Sequence, residues 1–252
     1  MAVDFGLDGR CALVTGAARG LGQAMAVALA EAGADVAVVD VVDVEETRAR
    51  VAGAGRRCAG IARDLRGPAA ARSVVAEATA ALGRLDILVN NAGIIRRADA
   101  IDFSEADWDD VIDVNLKSVF FLAQAAARQF LAQGGGGKIV NVASMLSFQG
   151  GIRVPSYTAS KSGVLGLTRL MANEWAAKRI NVNAIAPGYM ATANTAPLRA
   201  DPARSAEILS RIPAGRWGLP EDLAGAVVFL CSAASDYLHG SVIPVDGGWL
   251  AR

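Results

Sequence analysis

The sequence predicts an α/β protein: a single Rossmann-type, doubly wound parallel sheet of about seven strands with helices on both faces. Short β-branched runs alternate with Ala-rich helical stretches along the whole chain. The predicted strands are apolar on both faces, which is typical of a parallel sheet covered by helices on each side. No linker, charge block or repeat divides the 252 residues, so residues 1–252 are expected to form one domain.

The elements follow one another in a regular βα order. Strands are predicted at residues 11–15, 35–40, 57–61, 86–90, 138–143, 180–186 and 241–245, and the run at 57–61 is the weakest. Helices are predicted between them at residues 21–32, 44–52, 68–82, 105–132, 157–178 and 221–232. Residues 188–215 remain a long irregular stretch, which suits a lid over a ligand, with a plain surface loop as the alternative. In such folds, ligands bind beyond the carboxyl ends of the strands.

Charge and composition exclude several classes of function. Lysine plus arginine equals aspartate plus glutamate at 25 each, which leaves no net field to attract nucleic acid or an anionic membrane. The apolar runs are too short to span a bilayer, and residues 1–10 do not resemble a secretory signal. Cys11, Cys58 and Cys231 are scattered and are expected to be buried thiols in a reducing cytoplasm. His239 is the only histidine, so no metal site is expected and catalysis needs another proton carrier.

A glycine cluster follows the first predicted strand in the segment TGAARGLG. Gly16, Gly20 and Gly22 would let the backbone approach a pyrophosphate, at which the next helix directs its positive N-terminal end. Any tight strand-to-helix turn can use glycine, but the position at the first β–α junction favours nucleotide binding. Arg19 and Leu21 lie within the same loop.

Acidic residues end the second strand and follow the third. Asp40 stands about where a carboxylate meets the ribose hydroxyls of NAD and repels the 2′-phosphate of NADP. Arg19 acts in the opposite sense, because a cation in the glycine loop favours that phosphate, and Asp40 is given the greater weight. Asp64, which precedes Leu65, is either a contact of the adenine or a turn residue.

Polar segments follow the later strands. They are NNAG with Asn90 and Gly93, Ser144 in NVASMLSF, and PGYMAT with Pro187, Gly188, Met190 and Thr192. Each of these segments alone is ordinary turn chemistry. Asn115 lies inside a predicted helix, where asparagine is mildly unfavourable and needs a reason. Surface exposure is one such reason.

A tyrosine and a lysine stand four residues apart in SYTASKSG. In a helix Tyr157 and Lys161 would share one face. A nearby ammonium group can lower the pKa of a tyrosine by about 1–3 units. The pair is therefore either an acid–base device or an ordinary helix surface.

Taken in order, TGxxxGxG, an acid after the second strand, NNAG, an Asn, a Ser, YxxxK and PG resemble the short-chain dehydrogenase/reductase family over essentially the whole chain. The resemblance implies that Tyr157 is the acid/base and that Ser144 polarises the substrate. It implies that Lys161 lowers the Tyr157 pKa and binds the nicotinamide ribose, while Asn115 holds a water that connects Lys161 to solvent. NAD(H) is the expected cofactor, with NADP(H) possible.

The same resemblance implies the cofactor contacts and the assembly. The expected contacts are Gly16, Arg19, Gly20, Leu21, Gly22, Asp40, Asp64, Leu65, Asn90, Gly93, Tyr157, Lys161, Pro187, Gly188, Met190 and Thr192. The predicted helix at 105–132 has more apolar surface than one face of a sheet can cover, and a homotetramer is expected.

Within the family, the segments NNAGIIRR, RIPAGRWGLPED and VDGGWLAR look like those of dehydrogenases that act on deoxy and keto sugar acids in uronate catabolism. A sugar acid carries a carboxylate, which the planar fork of arginine suits. Arg96, Arg97 and Arg153 are the candidates, with Gln149 for a hydroxyl and with ordinary surface arginines as the alternative. Two other functions stay open: a reductase of acyl chains on a carrier protein, and a nucleotide-sensing module without chemistry.

Overall fold

The computed structural model describes residues 3–252, which contain one seven-stranded sheet with the order β3-β2-β1-β4-β5-β6-β7. The strands are β1 Cys11–Thr15, β2 Asp35–Asp40, β3 Cys58–Ala62, β4 Ile87–Asn90, β5 Gly137–Val142, β6 Ile180–Pro187 and β7 Val242–Val245. Every neighbouring pair is parallel. The predicted fold class is confirmed.

Helices cover both faces of this sheet. They are α1 Gly20–Glu31, α2 Glu45–Gly53, α3 Pro68–Leu82, α4 Glu105–Ile112, α5 Ser118–Ala132, α6 Pro155–Trp175, α7 Ala196–Ala200, α8 Pro202–Arg211 and α9 Ala224–Cys231. Alternate residues of β1 show why the strands are apolar on both faces. Ala12 and Val14 pack with α1, α2 and α9, whereas Leu13 packs with α3, α5 and α6.

Two of the predicted elements are wrong in detail. The helix predicted at 105–132 is interrupted by a π-helical turn, Asp113–Lys117, between α4 and α5. The stretch predicted to be irregular at 188–215 contains α7 and α8. The carboxylate of Asp201 starts α8, because it accepts hydrogen bonds from the amides of Ala203 (3.0 Å) and Arg204 (3.1 Å) ahead of a proline at the first turn.

The three cysteines are free thiols. Cys11 and Cys231 are buried as expected, whereas Cys58 is only half-buried. Burial raises the pKa of Cys231 to about 12 and that of Cys58 to about 11. These thiols therefore stay protonated, and hence poorly nucleophilic, at neutral pH. In the part of the chain that the structure describes, no helix has the length and apolar character needed to cross a membrane.

Candidate active site

The glycine loop between β1 and α1 has the shape of an anion cradle. A Cβ on Gly22 would lie 2.1 Å from the carbonyl oxygen of Gly16, so no side chain fits there. Gly20 has a φ of +60°, in the left-handed region that favours glycine. The N-terminus of α1 begins after Arg19 without a side-chain cap, which leaves its first amides available to an anion.

Asn91 holds this loop against the end of β4. Its Nδ2 donates to the carbonyl oxygens of Thr15 and Gly16, both at 2.9 Å, and its amide donates to the Thr15 hydroxyl at 3.0 Å. Sequence reasoning selected the first asparagine of NNAG and missed the second. Asn90 instead points into the core, where its Nδ2 donates to Asn141 at 2.9 Å. The side chain of Asn90 is therefore a structural group rather than one that faces the loop.

The carboxylate of Asp40 lies at the rim of the glycine loop. It accepts hydrogen bonds from the amides of Ala18 (3.0 Å) and Val41 (2.7 Å), which fix its orientation. Arg19 is exposed on the same loop. Both residues thus lie near the carboxyl end of β2. The negative charge of Asp40 is consistent with a preference for NAD(H), and the positive charge of Arg19 is consistent with the alternative, NADP(H).

The two residues predicted after the third strand differ from expectation. Asp64 pairs with Arg66, whose amide and Nε donate to it at 3.0 and 2.8 Å, and this contact lowers the pKa of Asp64. Leu65 is buried in the core beneath α3 and is 5% exposed. Asp64 thus stands in a turn with a side chain that is still 46% exposed, and the contacts of Asp64 and Leu65 with a cofactor stay predictions.

Asn115 explains the π-helical turn. Its Oδ1 accepts from the amide of Ile94 at 2.8 Å, and its Nδ2 donates to the carbonyl oxygen of Ile94 at 2.9 Å. The residue is fully buried, so surface exposure is not its reason for being in a helix. Its amide ties the segment after Gly93 to the helix, and Nδ2 also approaches the hydroxyl of Ser160 at 3.4 Å.

Ser144, Tyr157 and Lys161 meet at the carboxyl end of β5. The Ser144 hydroxyl lies near enough to the Tyr157 phenol to lower its pKa. Lys161 Nζ lies 5.8 Å from the centroid of the Tyr157 ring and donates to the carbonyl oxygen of Val142 at 2.6 Å. Ser147, which sequence reasoning missed, donates from its hydroxyl to the Lys161 carbonyl at 2.7 Å and joins the loop after β5 to α6.

The electrostatics of Tyr157 differ from the prediction. Burial raises its pKa, while Ser144 and the charge of Arg97 lower it, and Lys161 is not among the groups that shift it. Burial lowers the pKa of Lys161 to about 8. In this structure Lys161 Nζ donates to the carbonyl oxygen of Val142, and burial outweighs the groups that lower the Tyr157 pKa. The expected lowering of that pKa by Lys161 therefore stays a prediction.

The candidate arginines have different surroundings. Arg96 pairs with Asp110 at 2.6 Å and with Asp107 at 3.4 Å on α4. Arg153 has a positive φ of +63° and pairs with Asp99 at 3.0 Å. Arg97 is exposed and uses Nη2 to donate to the carbonyl oxygen of Asn194 at 3.1 Å. Of the three, Arg97 is the one without a carboxylate partner among the described residues. Gln149 is half-buried in the loop between Ser144 and α6.

The segment after β6 returns across the glycine loop. Pro187 ends β6. The next residue, Gly188, packs against the backbone of Asp246, because a Cβ on Gly188 would lie 2.6 Å from the Cα of Asp246. Met190 is buried. Thr192 lies next to the glycine loop, because its methyl carbon is 3.9 Å from the position that a Cβ on Gly20 would take. The segment thus connects the cradle to α7 and α8.

The fold and the glycine loop at the end of its first strand define a class, the dinucleotide-binding oxidoreductases. A family model described as enoyl-(acyl carrier protein) reductase matches residues 16–250. The 2-dehydro-3-deoxy-D-gluconate 5-dehydrogenase of Escherichia coli K12 is 64% identical over 248 residues, which cover 98% of each chain. The chain therefore belongs to the short-chain dehydrogenase/reductase family.

Solved structures agree with this assignment. A protein of Agrobacterium tumefaciens with bound NADP, provisionally assigned as a 2-deoxy-D-gluconate 3-dehydrogenase, is 59% identical with a TM-score of 0.93 and full coverage of both chains. A gluconate 5-dehydrogenase of Burkholderia cenocepacia, in complex with NADP and tartrate, is 42% identical with a TM-score of 0.93 and covers 99% of this chain and 98% of its own. The chain is a dehydrogenase/reductase that uses a nicotinamide nucleotide and a small-molecule substrate.

Proposed function

We propose that the protein interconverts a secondary alcohol and a ketone on a sugar acid, as a 2-dehydro-3-deoxy-D-gluconate 5-dehydrogenase that prefers NAD(H). The observation that carries this proposal is the grouping of Ser144, Tyr157 and Lys161 at the carboxyl end of β5, within the field of Arg97, which has no carboxylate partner among the described residues. The 64% identity to the Escherichia coli enzyme supports the choice of substrate.

Tyr157 is the proposed acid/base. The raised pKa keeps the phenol protonated at neutral pH, which is the form that donates a proton to a carbonyl oxygen. In the opposite direction the phenolate would accept the proton of the alcohol, so oxidation is expected to accelerate as the pH rises. The hydroxyl of Ser144, which lies near the phenol, would orient the same oxygen of the substrate.

Lys161 and Asn115 support this proton transfer. With a pKa of about 8, Lys161 is largely cationic at pH 7 and can donate to a ribose hydroxyl. The side chain of Asn115 is engaged on both sides by Ile94, so a water connecting Lys161 to solvent would be held by the main chain of the π-helical turn. Nδ2 of Asn115 would stabilise that turn.

The residues of the cradle fit a dinucleotide. The backbone of Gly16, Gly20, Leu21 and Gly22 would hold the pyrophosphate, because the missing side chain of Gly22 lets the loop pack closely on α1 and the uncapped N-terminus of α1 suits an anion. When bound, the nicotinamide supplies or accepts the hydride. Gly93, Pro187, Gly188, Met190 and Thr192 are the proposed walls of this cradle on its other side.

NAD(H) is the proposed preference. The fixed carboxylate of Asp40 would accept hydrogen bonds from the ribose hydroxyls and repel a 2′-phosphate, whereas the exposed Arg19 leaves appreciable NADP(H) activity. The NADP in solved relatives is consistent with such activity. Asp40→Ala should shift the ratio of kcat/KM values towards NADP(H), and Arg19→Ala should shift it towards NAD(H). A wild-type preference for NADPH would contradict the proposal.

Arg97 is the proposed partner of the substrate carboxylate. Its guanidinium keeps Nε and Nη1 for a carboxylate while Nη2 contacts Asn194. Arg96 and Arg153 have acidic partners already, and Gln149 is left to bind a hydroxyl. Arg97→Met should therefore raise KM for the sugar acid much more than KM for NADH, with Arg96→Met as the matched control.

A substrate panel tests the proposed reaction. With NAD as the oxidant, we expect the highest kcat/KM for 2-dehydro-3-deoxy-D-gluconate, and a higher value for 2-deoxy-D-gluconate would favour the activity assigned to the Agrobacterium protein. The description of the family model makes a thioester-linked enoyl or 3-oxoacyl chain, with NADH or NADPH as the reductant, the necessary third substrate. Turnover of the acyl substrate alone would reject the proposal, and neither formation of NADH from the sugar acids nor consumption of reduced cofactor by the acyl substrate would favour a nucleotide-sensing module.

We further propose a cytoplasmic homotetramer. The three free thiols suit a reducing compartment, and exposed apolar side chains on α4, α5 and α6 suit contacts between subunits.

A further inference from the structure

Ser147 lies between two residues of the proposed catalytic group. It is half-buried at the end of a short helical turn, Met145–Ser147, that follows Ser144. Its hydroxyl oxygen accepts a hydrogen bond from the amide of Ser144 at 3.3 Å, and the same hydroxyl donates to the carbonyl oxygen of Lys161 at 2.7 Å. One side chain thus joins the main chain of Ser144 to the helix that carries Tyr157 and Lys161.

The turn that Ser147 closes also orients the hydroxyl of Ser144. The Oγ of Ser144 accepts a hydrogen bond from the amide of Leu146 at 3.1 Å, and its carbonyl oxygen accepts one from the amide of Ser147 at 2.9 Å. A hydroxyl has one proton to donate and two acceptor sites. Because the bond from Leu146 uses an acceptor site, Ser144 keeps its proton for an oxygen of the substrate.

The contact between Ser147 and α6 is independent of the amino group of Lys161. That amino group donates to the carbonyl oxygen of Val142 at 2.6 Å, and binding of a ribose hydroxyl would give it a second partner. Ser147 instead contacts the main chain of Lys161, which lies inside α6. Tyr157 is on the same helix, about one turn earlier. Ser147 therefore links Ser144 to the helix of Tyr157 whatever the amino group binds.

We propose that Ser147 is a positioning residue for the reaction: its hydroxyl holds Ser144 where the Ser144 hydroxyl and the Tyr157 phenol reach the same oxygen of the substrate. This inference rests on the roles proposed for Ser144 and Tyr157. Since the rate depends steeply on the geometry of the reacting groups, loss of the Ser147 hydroxyl should lower kcat. Cofactor binding should be unaffected, because the glycine loop follows β1 and not β5.

Substitutions of Ser147 test this role. Ser147→Ala removes both hydrogen bonds of the hydroxyl and should lower kcat about tenfold, while the dissociation constant of NADH stays at the wild-type value. Ser147→Thr keeps the hydroxyl and should recover most of the rate. Ser147→Cys, whose thiol is a weak donor, should fall between them and replaces the alanine variant if that variant does not fold.

The matched control is Ser104→Ala. The hydroxyl of Ser104 caps α4 by accepting a hydrogen bond from the amide of Asp107 at 3.2 Å. Its loss should lower the melting temperature without lowering kcat, which separates a loss of stability from a loss of positioning. A kcat for Ser147→Ala or Ser147→Cys that equals the wild-type value would overturn the proposal, and so would a kcat for Ser147→Thr as low as that of the other variant.

A double-mutant cycle identifies the residue through which Ser147 acts. If Ser147 works by holding Ser144, its hydroxyl has little left to position once Ser144 is replaced by alanine. Adding Ser147→Ala to Ser144→Ala should then lower the residual kcat less than about twofold, against about tenfold in the wild-type background. Equal fold-losses in the two backgrounds would overturn the proposal, because Ser147 would act independently of Ser144.

The choice of substrate separates this inference from the proposed function. All rates are measured with the member of the panel that gives the highest kcat/KM. If that member is the acyl substrate and the cycle shows the expected coupling, the positioning role stands and the proposed function fails. If a sugar acid is turned over, Ser144→Ala is impaired and Ser147→Ala is not, the positioning role alone fails. Wild-type turnover by Ser144→Ala would overturn both the role of Ser144 and this inference.

Discussion

At the scale of single residues, the centre of the site is a phenol whose pKa is set by opposing effects. Burial of Tyr157 disfavours the phenolate, whereas Ser144 and the charge of Arg97 favour it. A substrate carboxylate on Arg97 would neutralise that charge, so the phenol would become a weaker acid when a sugar acid is bound. If Arg97 binds the substrate carboxylate as proposed, recognition of the substrate and proton transfer would be coupled through this arginine.

Tyr157→Phe tests the proton carrier. Removing the hydroxyl should lower kcat by about 10²–10⁴-fold, the usual contribution of general acid–base catalysis. The dissociation constant of NADH, measured by fluorescence titration, should change little, because the aromatic ring remains. Tyr237, which is 99% exposed, gives the matched control Tyr237→Phe, expected to behave as wild type. Near-normal turnover by Tyr157→Phe would reject the assignment.

Lys161 should destabilise the fold at neutral pH. Its pKa falls from 10.5 to about 8 in the folded protein, so the unfolded chain binds more protons between these values and stability rises with pH there. Lys161→Met should therefore raise the free energy of unfolding below pH 8 by up to about 3 kcal/mol. This gain should vanish near pH 10.5. Urea denaturation at pH 7 and pH 10 measures it, and an equal gain at both would contradict the shift.

At the scale of elements, the sequence predicts the sheet well because strands that are buried on both faces consist of continuous runs of apolar residues. The π-helical turn was not predictable, since Asn115 is explained by Ile94, which is distant along the chain. The sequence also did not show which of the adjacent residues Arg96 and Arg97 is available to a ligand. The packing of α4 shows that Arg96 has acidic partners and that Arg97 does not. The start of α8 depends on the side chain of Asp201, whose capping role hydrophobic periodicity does not show.

Two glycines of the cradle should respond differently to alanine. Gly22→Ala would place a Cβ 2.1 Å from the Gly16 oxygen, and overpacking of this kind costs about 1–3 kcal/mol. Because the backbone of the cradle must move, NADH should also bind more weakly. The new Cβ in Gly20→Ala would meet nothing closer than 3.9 Å. This variant should therefore lower the free energy of unfolding only by the cost of a left-handed backbone, about 1–2 kcal/mol. Thermal melting and NADH titration of both variants compare them; NADH binding in Gly22→Ala as strong as in wild type would contradict the role of this close packing in cofactor binding.

At the scale of the whole molecule, apolar surface remains on one side of the sheet. Trp108 on α4, Leu131 at the end of α5 and Leu170 on α6 are 41%, 49% and 46% exposed. Phe120 and Phe121 of α5 are half-buried and pack edge-on at 5.2 Å. Trp249 near the C-terminus, in contrast, is covered by residues of its own chain, Tyr189 and Arg211. The helical face is therefore the stronger candidate for a subunit contact.

Light scattering tests the expected homotetramer. Because each chain has a mass of 25.9 kDa, wild type at micromolar concentration should show a mass about four times larger. Leu170→Asp places a charge on the apolar face, and burying an unpaired carboxylate is costly, so this variant should dissociate to smaller species. Ile101→Asp, at a residue that is 92% exposed in a short helical turn, is the matched control and should keep the wild-type mass. A monomeric wild type would contradict the assembly, and a Leu170→Asp variant with an unchanged mass would place the contact on another face.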